Sequence, residues 1–130
     1  MFVVRLMNKL LALAIPALLT GCAGGPPPFS AEGTAVAIPD GVHVGQIAAV
    51  PQVLLEDSRC PANVQCVWAG RVVLSTRIYG PDFDETVPLT LGEPYTTHDT
   101  SLTLVSALPE KMAGEEIPAP TYSFAFEGGQ

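Results

Sequence analysis

Cys60 and Cys66 stand six positions apart in DSRCPANVQCVWAG, residues 57–70, with a proline between them and the only tryptophan, Trp68, just after them. Three chemistries use such a pair. A structural zinc site spaces its cysteines by roughly two to four residues and needs two further ligands. Here five residues intervene, and the only histidines, His43 and His98, stand alone. Redox catalysis favours Cys-x-x-Cys at a helix N-terminus, where the thiolate is stabilised, and the motif has no such spacing. The third chemistry is a disulfide that ties a loop. It needs an oxidising compartment, so the choice turns on where the protein resides.

Other reactive side chains are scattered. PDFDET places Asp82, Asp84 and Glu85 close together. Calcium favours such oxygen clusters, but an EF-hand loop needs more ligands and a glycine at its sixth position, so a solvated hairpin tip is the simpler reading. Glu110, Glu115 and Glu116 read as a solubilising acidic loop. His43 lies between Val42 and Val44 and reads as a strand residue. His98-Asp99 can orient an imidazole as in a hydrolase, yet no Ser or Cys nucleophile sits in a recognisable elbow. No Gly-rich phosphate loop follows any strand. No catalytic residue, cofactor or metal ligand is assigned on this basis.

The chain opens MFVVRLMNKLLALAIPALLTGC, with Arg5 and Lys9 its only charges and an unbroken apolar run from Leu10 to Leu19. That run is too short for a bilayer core, which takes roughly 20 helical residues. A basic start, a short apolar stretch and small residues at the end describe a secretory signal peptide. Leu19-Thr20-Gly21-Cys22 resembles the lipobox of bacterial lipoproteins. The resemblance implies cleavage after Gly21 and acylation of Cys22, with residues 1–21 removed and a lipid holding the protein to the membrane. One acyl chain gives only marginal binding, and two or more anchor stably. Ala23 after the cysteine resembles the sorting signal for the outer membrane in double-membraned bacteria. In a single-membraned cell the same anchor would sit on the outer face of the plasma membrane.

A mature chain starting at Cys22 keeps four basic side chains against thirteen acidic ones, a charge of −9 (4 − 13). Such a surface disfavours nucleic acid and anionic lipid headgroups as partners, since both select basic patches. The lipobox also settles the odd cysteine count. With Cys22 acylated, Cys60 and Cys66 remain as a pair in an oxidising compartment, and a disulfide is the expected outcome. Pro61 and Asn63 favour the turned path it needs. Trp68 is expected to pack on or near the disulfide, as in many sandwich cores. Asp57 and Ser58 start the turn, and Arg59 pairs with Asp57 or Glu56, or else offers an anion site. Gly70 allows the change of direction before the next strand.

The elements that must position these residues are short. AGGPPPFSAE, residues 23–32, reads as a spacer, flexible at its glycines and extended at its prolines. Residues 33–130 suffice for one small domain. Thr34–Ile38 reads as a strand closed by Pro39-Asp40-Gly41, with Gly41 a candidate for positive φ. Val42–Val50 and Gln52–Glu56 read as strands on either side of Pro51. In RVVLSTRIYG, Val72, Leu74, Thr76 and Ile78 share one face, the period of a half-buried strand. GPDFDE, residues 80–85, then connects to Val87, Leu89 and Leu91, so residues 71–91 form a hairpin. Leu102 and Leu104, then Tyr122, Phe124 and Phe126, mark two more strands. Between them one helical turn fits at Glu110–Ala113, while Pro109, Gly114, Pro118 and Pro120 exclude a long helix. The expected fold is all-β, a small antiparallel sandwich or barrel of about six to seven strands with one disulfide-tied loop.

EDSRCPANVQCVWAG resembles a signature of small exported bacterial proteins and lipoproteins, and LTLVSALP and PAPTYSFAFEG resemble their closing strands. The resemblance spans residues 42–127. It implies export, the Cys60–Cys66 pair and an all-β domain, and it carries over no catalytic residue. The expected function is that of a non-enzymatic, membrane-anchored envelope lipoprotein that binds another envelope protein or ligand. Its candidate binding loop comprises Asp57, Arg59, Pro61, Asn63, Gln65 and Trp68. The alternative is an enzyme inhibitor presenting Pro61–Gln65 as a crosslinked bait. A metal carrier or enzyme built on His98 and Asp99 ranks last.

Overall fold

The computed structural model describes Gly21 and residues 29–129. Residues 1–20 of the expected signal peptide, the expected lipidation site Cys22 and residues 23–28 of the expected spacer lie outside the described residues. Among the described residues seven strands follow in order: β1 (Val42–Val44), β2 (Ile47–Asp57), β3 (Val72–Tyr79), β4 (Asp84–Thr90), β5 (Pro94–Thr97), β6 (Thr100–Leu108) and β7 (Ser123–Gly129). They form two antiparallel sheets, β1-β2-β3-β4 and β5-β6-β7. The protein is an all-β, sandwich-like domain.

Strand periodicity builds the core. Val72, Leu74, Thr76 and Ile78 of β3 are all fully buried, because alternate side chains of a strand share one face. They meet Ile47 and Ala49 from β2 and Leu89 from β4. The opposing sheet supplies Leu102, Leu104, Phe124 and Phe126 to the same cluster. Leu91, after β4, packs at its margin, and Gly92, at φ +83°, turns the chain into β5.

Several local expectations are corrected. Val42–Val50 is not one run, because Gly45 at φ +60° turns the chain between β1 and β2. Pro51 does not end a strand either; β2 continues through it, with a register shift between Pro51 and Val53. A proline without an N–H is tolerated where a bulge interrupts the ladder. Thr34–Ile38 is reduced to a single bridge, Val36 to Phe124. Gly41 is absent from the positive-φ residues; a side chain there would instead run into the Phe29 ring. No helical turn forms at Glu110–Ala113; a short 3-10 turn lies at Ala119–Thr121. β5 has no counterpart among the strands expected from periodicity.

Ser30 bridges Val42 in parallel, and Val36 bridges Phe124. Gly128 N donates to Glu32 Oε1 at 2.8 Å. Residues 29–36 thus pass from one sheet to the other and cover the open strand edges on that side, which otherwise invite pairing with another chain. Residues 29–32, grouped with the spacer by composition, are attached to the folded domain.

Candidate functional site

Two connections of unusual length share one end of the sandwich. Residues 58–71 join β2 to β3, and residues 109–122 join β6 to β7. Hairpin loops usually have about two to five residues, and longer ones tend to carry function. Here the two are bonded to each other.

Asp57, at the end of β2, is the centre of that connection. Arg59 grips its carboxylate with two hydrogen bonds, Nε to Oδ1 and Nη2 to Oδ2, both 2.8 Å. The rest of the guanidinium donates to the carbonyls of Ala107 at 2.9 Å and Pro109 at 3.1 Å. Tyr122 Oη donates to Asp57 Oδ2 at 2.7 Å, and Lys111 Nζ donates to the Asp57 carbonyl at 2.9 Å. Asp57 is only 7% exposed and Arg59 17%. Bidentate, charge-assisted bonds of this kind are the strong ones. The Arg59 bonds hold the Asp57 carboxyl at about 2, below its usual 3.8, against the opposing effect of burial. Burial, with the Asp57 bond, pushes the Tyr122 hydroxyl up to about 12.

The loop closes on itself above this cluster. Cys60 and Cys66 form a disulfide, with Cα atoms 5.8 Å apart. Val64 N donates to the Pro61 carbonyl at 3.2 Å, making a turn inside the ring. Ala62 N reaches the Lys111 carbonyl at 2.8 Å, and Asn63 Oδ1 accepts from Ala113 N at 2.8 Å. At the return, Ser58 N donates to the Arg71 carbonyl at 2.8 Å, and Arg71 N donates to Ser58 Oγ at 3.0 Å. Gly70 lies at φ +67° against the Ser58 carbonyl, leaving no room for a Cβ.

The expected binding residues therefore separate into two groups. Asp57 and Arg59 are half-buried beneath the loop, and Arg59 makes four side-chain hydrogen bonds there rather than forming an open anion site. Asn63 and Gln65 are exposed, and Pro61 is half-buried. Trp68 is a correction: it lies outside the core and is 62% exposed, with Val67 at 96% and Val64 at 43% in the same loop. Phe124 and Phe126 fill the core, and the loop lies outside it. No family model, curated protein or solved structure matches this chain. The loop geometry alone carries the functional reading.

The remaining candidates lie elsewhere. Asp84 forms an ion pair with Arg77, and Glu85 Oε1 accepts from Thr97 Oγ1 at 2.6 Å. Asp82 is exposed. His98 and Asp99 form the β5–β6 turn at φ 46° and 59°, and His98 stacks on Phe83 with ring centroids 3.9 Å apart. His43 meets the Phe29 ring edge-on. Among the described residues no group of three or more His, Cys, Asp or Glu side chains is placed to hold a metal ion.

Composition did not reveal Tyr122, Lys111 or Val67. Tyr122 is in phase with Phe124 and Phe126 and reads as core, with nothing to signal that its hydroxyl meets Asp57. Val67 did carry a signal, as an apolar residue next to tryptophan in a loop without strand periodicity.

Proposed function

We propose that this chain is a lipid-anchored envelope protein without enzymatic activity, and that its 60–70 loop is its binding face. The observation that carries this reading is a division of labour within the loop. The charged residues at its base, Asp57 and Arg59, are occupied in fastening it to the sandwich, while Val67 and Trp68 face outward. Tryptophan held on a preordered loop is a common anchor in recognition, because little freedom is lost on contact. Lipidation at Cys22, with residues 23–28 as spacer, would present this face within the envelope. In a double-membraned cell the expected address is the outer membrane. The inhibitor alternative is less well supported, since Pro61–Val64 is a closed turn and not an extended bait.

The experiment is metabolic labelling with a clickable palmitate analogue, followed by membrane fractionation. The full chain should take up label and sediment with membranes. Cys22→Ser should take up none and accumulate as precursor. Equal labelling of the two would refute the anchor.

A further inference from the structure

The point where the spacer joins the domain and the apolar tip of the loop are related by the fold. Ser30 pairs with Val42 in parallel, and β1 runs antiparallel to β2. Traced backward from Ser30 to Phe29, the backbone therefore runs in the direction of β2, toward the end that bears the 58–71 loop. Phe29 lies beside Gly41, level with Val50 of β2. The seven residue steps from Val50 to Asp57 cover about 23 Å at the rise of a strand. The seven from Cys22 to Phe29 reach at most about 25 Å. A lipid held at Cys22 can thus come level with the loop end of the sandwich, and hardly beyond it.

We infer that Val64, Val67 and Trp68 seat in the headgroup–acyl boundary of the same bilayer that holds the Cys22 lipid. The loop is then a second, non-covalent foot that fixes which end of the domain faces the membrane. This rests on the lipid-anchor reading and names the occupant of its binding face. Residues 60–70 contain no charged side chain, so lowering them into the boundary strips no ion of water. Indole, with an apolar body and a single N–H, is the side chain enriched at that depth. Leu55 and Leu108, exposed near the ends of β2 and β6, add apolar surface at the same end. The disulfide and the Arg59 bonds have already ordered the tip, which lowers the cost of docking it. Glu110, Glu115 and Glu116 on the adjoining connection are exposed. They select a neutral, zwitterionic surface over an anionic one.

Trp68 is the only tryptophan and reports the outcome directly. The chain from Cys22 onward, its disulfide intact, is coupled through the Cys22 thiol to a maleimide lipid in phosphatidylcholine vesicles. Because the anchor is supplied chemically, failure of the docking is distinct from failure of cells to acylate Cys22. On coupling, Trp68 emission should shift to the blue, quenching by acrylamide should fall by about half or more, and brominated lipid should quench it. Val67→Asp alters a residue that the fold leaves open to solvent and keeps the reporter; it should abolish all three changes. Added phosphatidylglycerol should weaken them. Emission and acrylamide quenching unchanged from the uncoupled chain would overturn the inference and leave a protein partner as the occupant. An undiminished response from Val67→Asp, or a stronger one on anionic vesicles, would overturn it equally.

Discussion

Tyr122 and Asp57, 65 residues apart in sequence, are joined by a 2.7 Å hydrogen bond in which the phenol donates to the carboxylate. That bond links the β6–β7 connection to the end of β2, and Arg59 closes the same carboxylate from the other side. The loop is therefore held from beneath by a charge pair whose side chains are largely withdrawn from solvent. Half-satisfied buried pairs are costly, so each partner is sensitive to replacement.

Asp57→Asn should destabilise the domain by roughly 2–4 kcal/mol, because it leaves the Arg59 guanidinium short of its anion. Tyr122→Phe should cost about 1.5 kcal/mol, the usual scale for one bond to a charged group. Urea unfolding at neutral pH, monitored by Trp68 emission and far-UV dichroism, measures both. Loss of the same small amount from each would argue against a central role for the carboxylate.

The same cluster sets a pH window. Asp57 titrates at about 2 in the folded protein against 3.8 ordinarily. Its stabilisation is therefore fully present above about pH 4 and disappears as the pH falls through 2. It is worth roughly 2 kcal/mol. Tyr122 is raised from 10.0 to about 12, so its share is intact below pH 10 and disappears as the pH rises through 12. Melting temperatures of Asp57→Asn and the parent should converge at low pH, and those of Tyr122→Phe and the parent at high pH.

Gly70→Ala should destabilise by roughly 2–4 kcal/mol. Positive φ contributes about 1–2 kcal/mol for a residue with a Cβ, and the clash with the Ser58 carbonyl adds to it. Gly45→Ala, also at positive φ but with open space around it, is the control and should show only the backbone part. Equal losses at the two sites would remove the steric argument.

Much of this arrangement was legible in the residues, and the reasons are local. The alternation from Val72 to Ile78 could satisfy only a strand buried on one face, and Leu102, Leu104, Phe124 and Phe126 followed the same rule. The disulfide followed from the expected export and from the even pair that acylation of Cys22 would leave. What escaped depends on long-range placement. Pro51 reads as a strand breaker until a bulge removes the need for its N–H. PYTT of β5 is too short and polar to carry a period. Arg59 could be paired from sequence with a near neighbour, but not with the carbonyls of Ala107 and Pro109. Trp68 looked like core because indoles usually are, whereas the core space between the sheets is taken by the phenylalanines.

The most direct measurement is the intact mass of the protein extracted from cell envelopes, taken after alkylation with and without prior reduction. The expected result is a chain beginning at Cys22 with an acyl-sized addition on that residue, no alkylation under denaturing conditions without reduction, and two alkylated cysteines, Cys60 and Cys66, after it. An unmodified chain starting at any other residue, or two thiols that react without reduction, would contradict it.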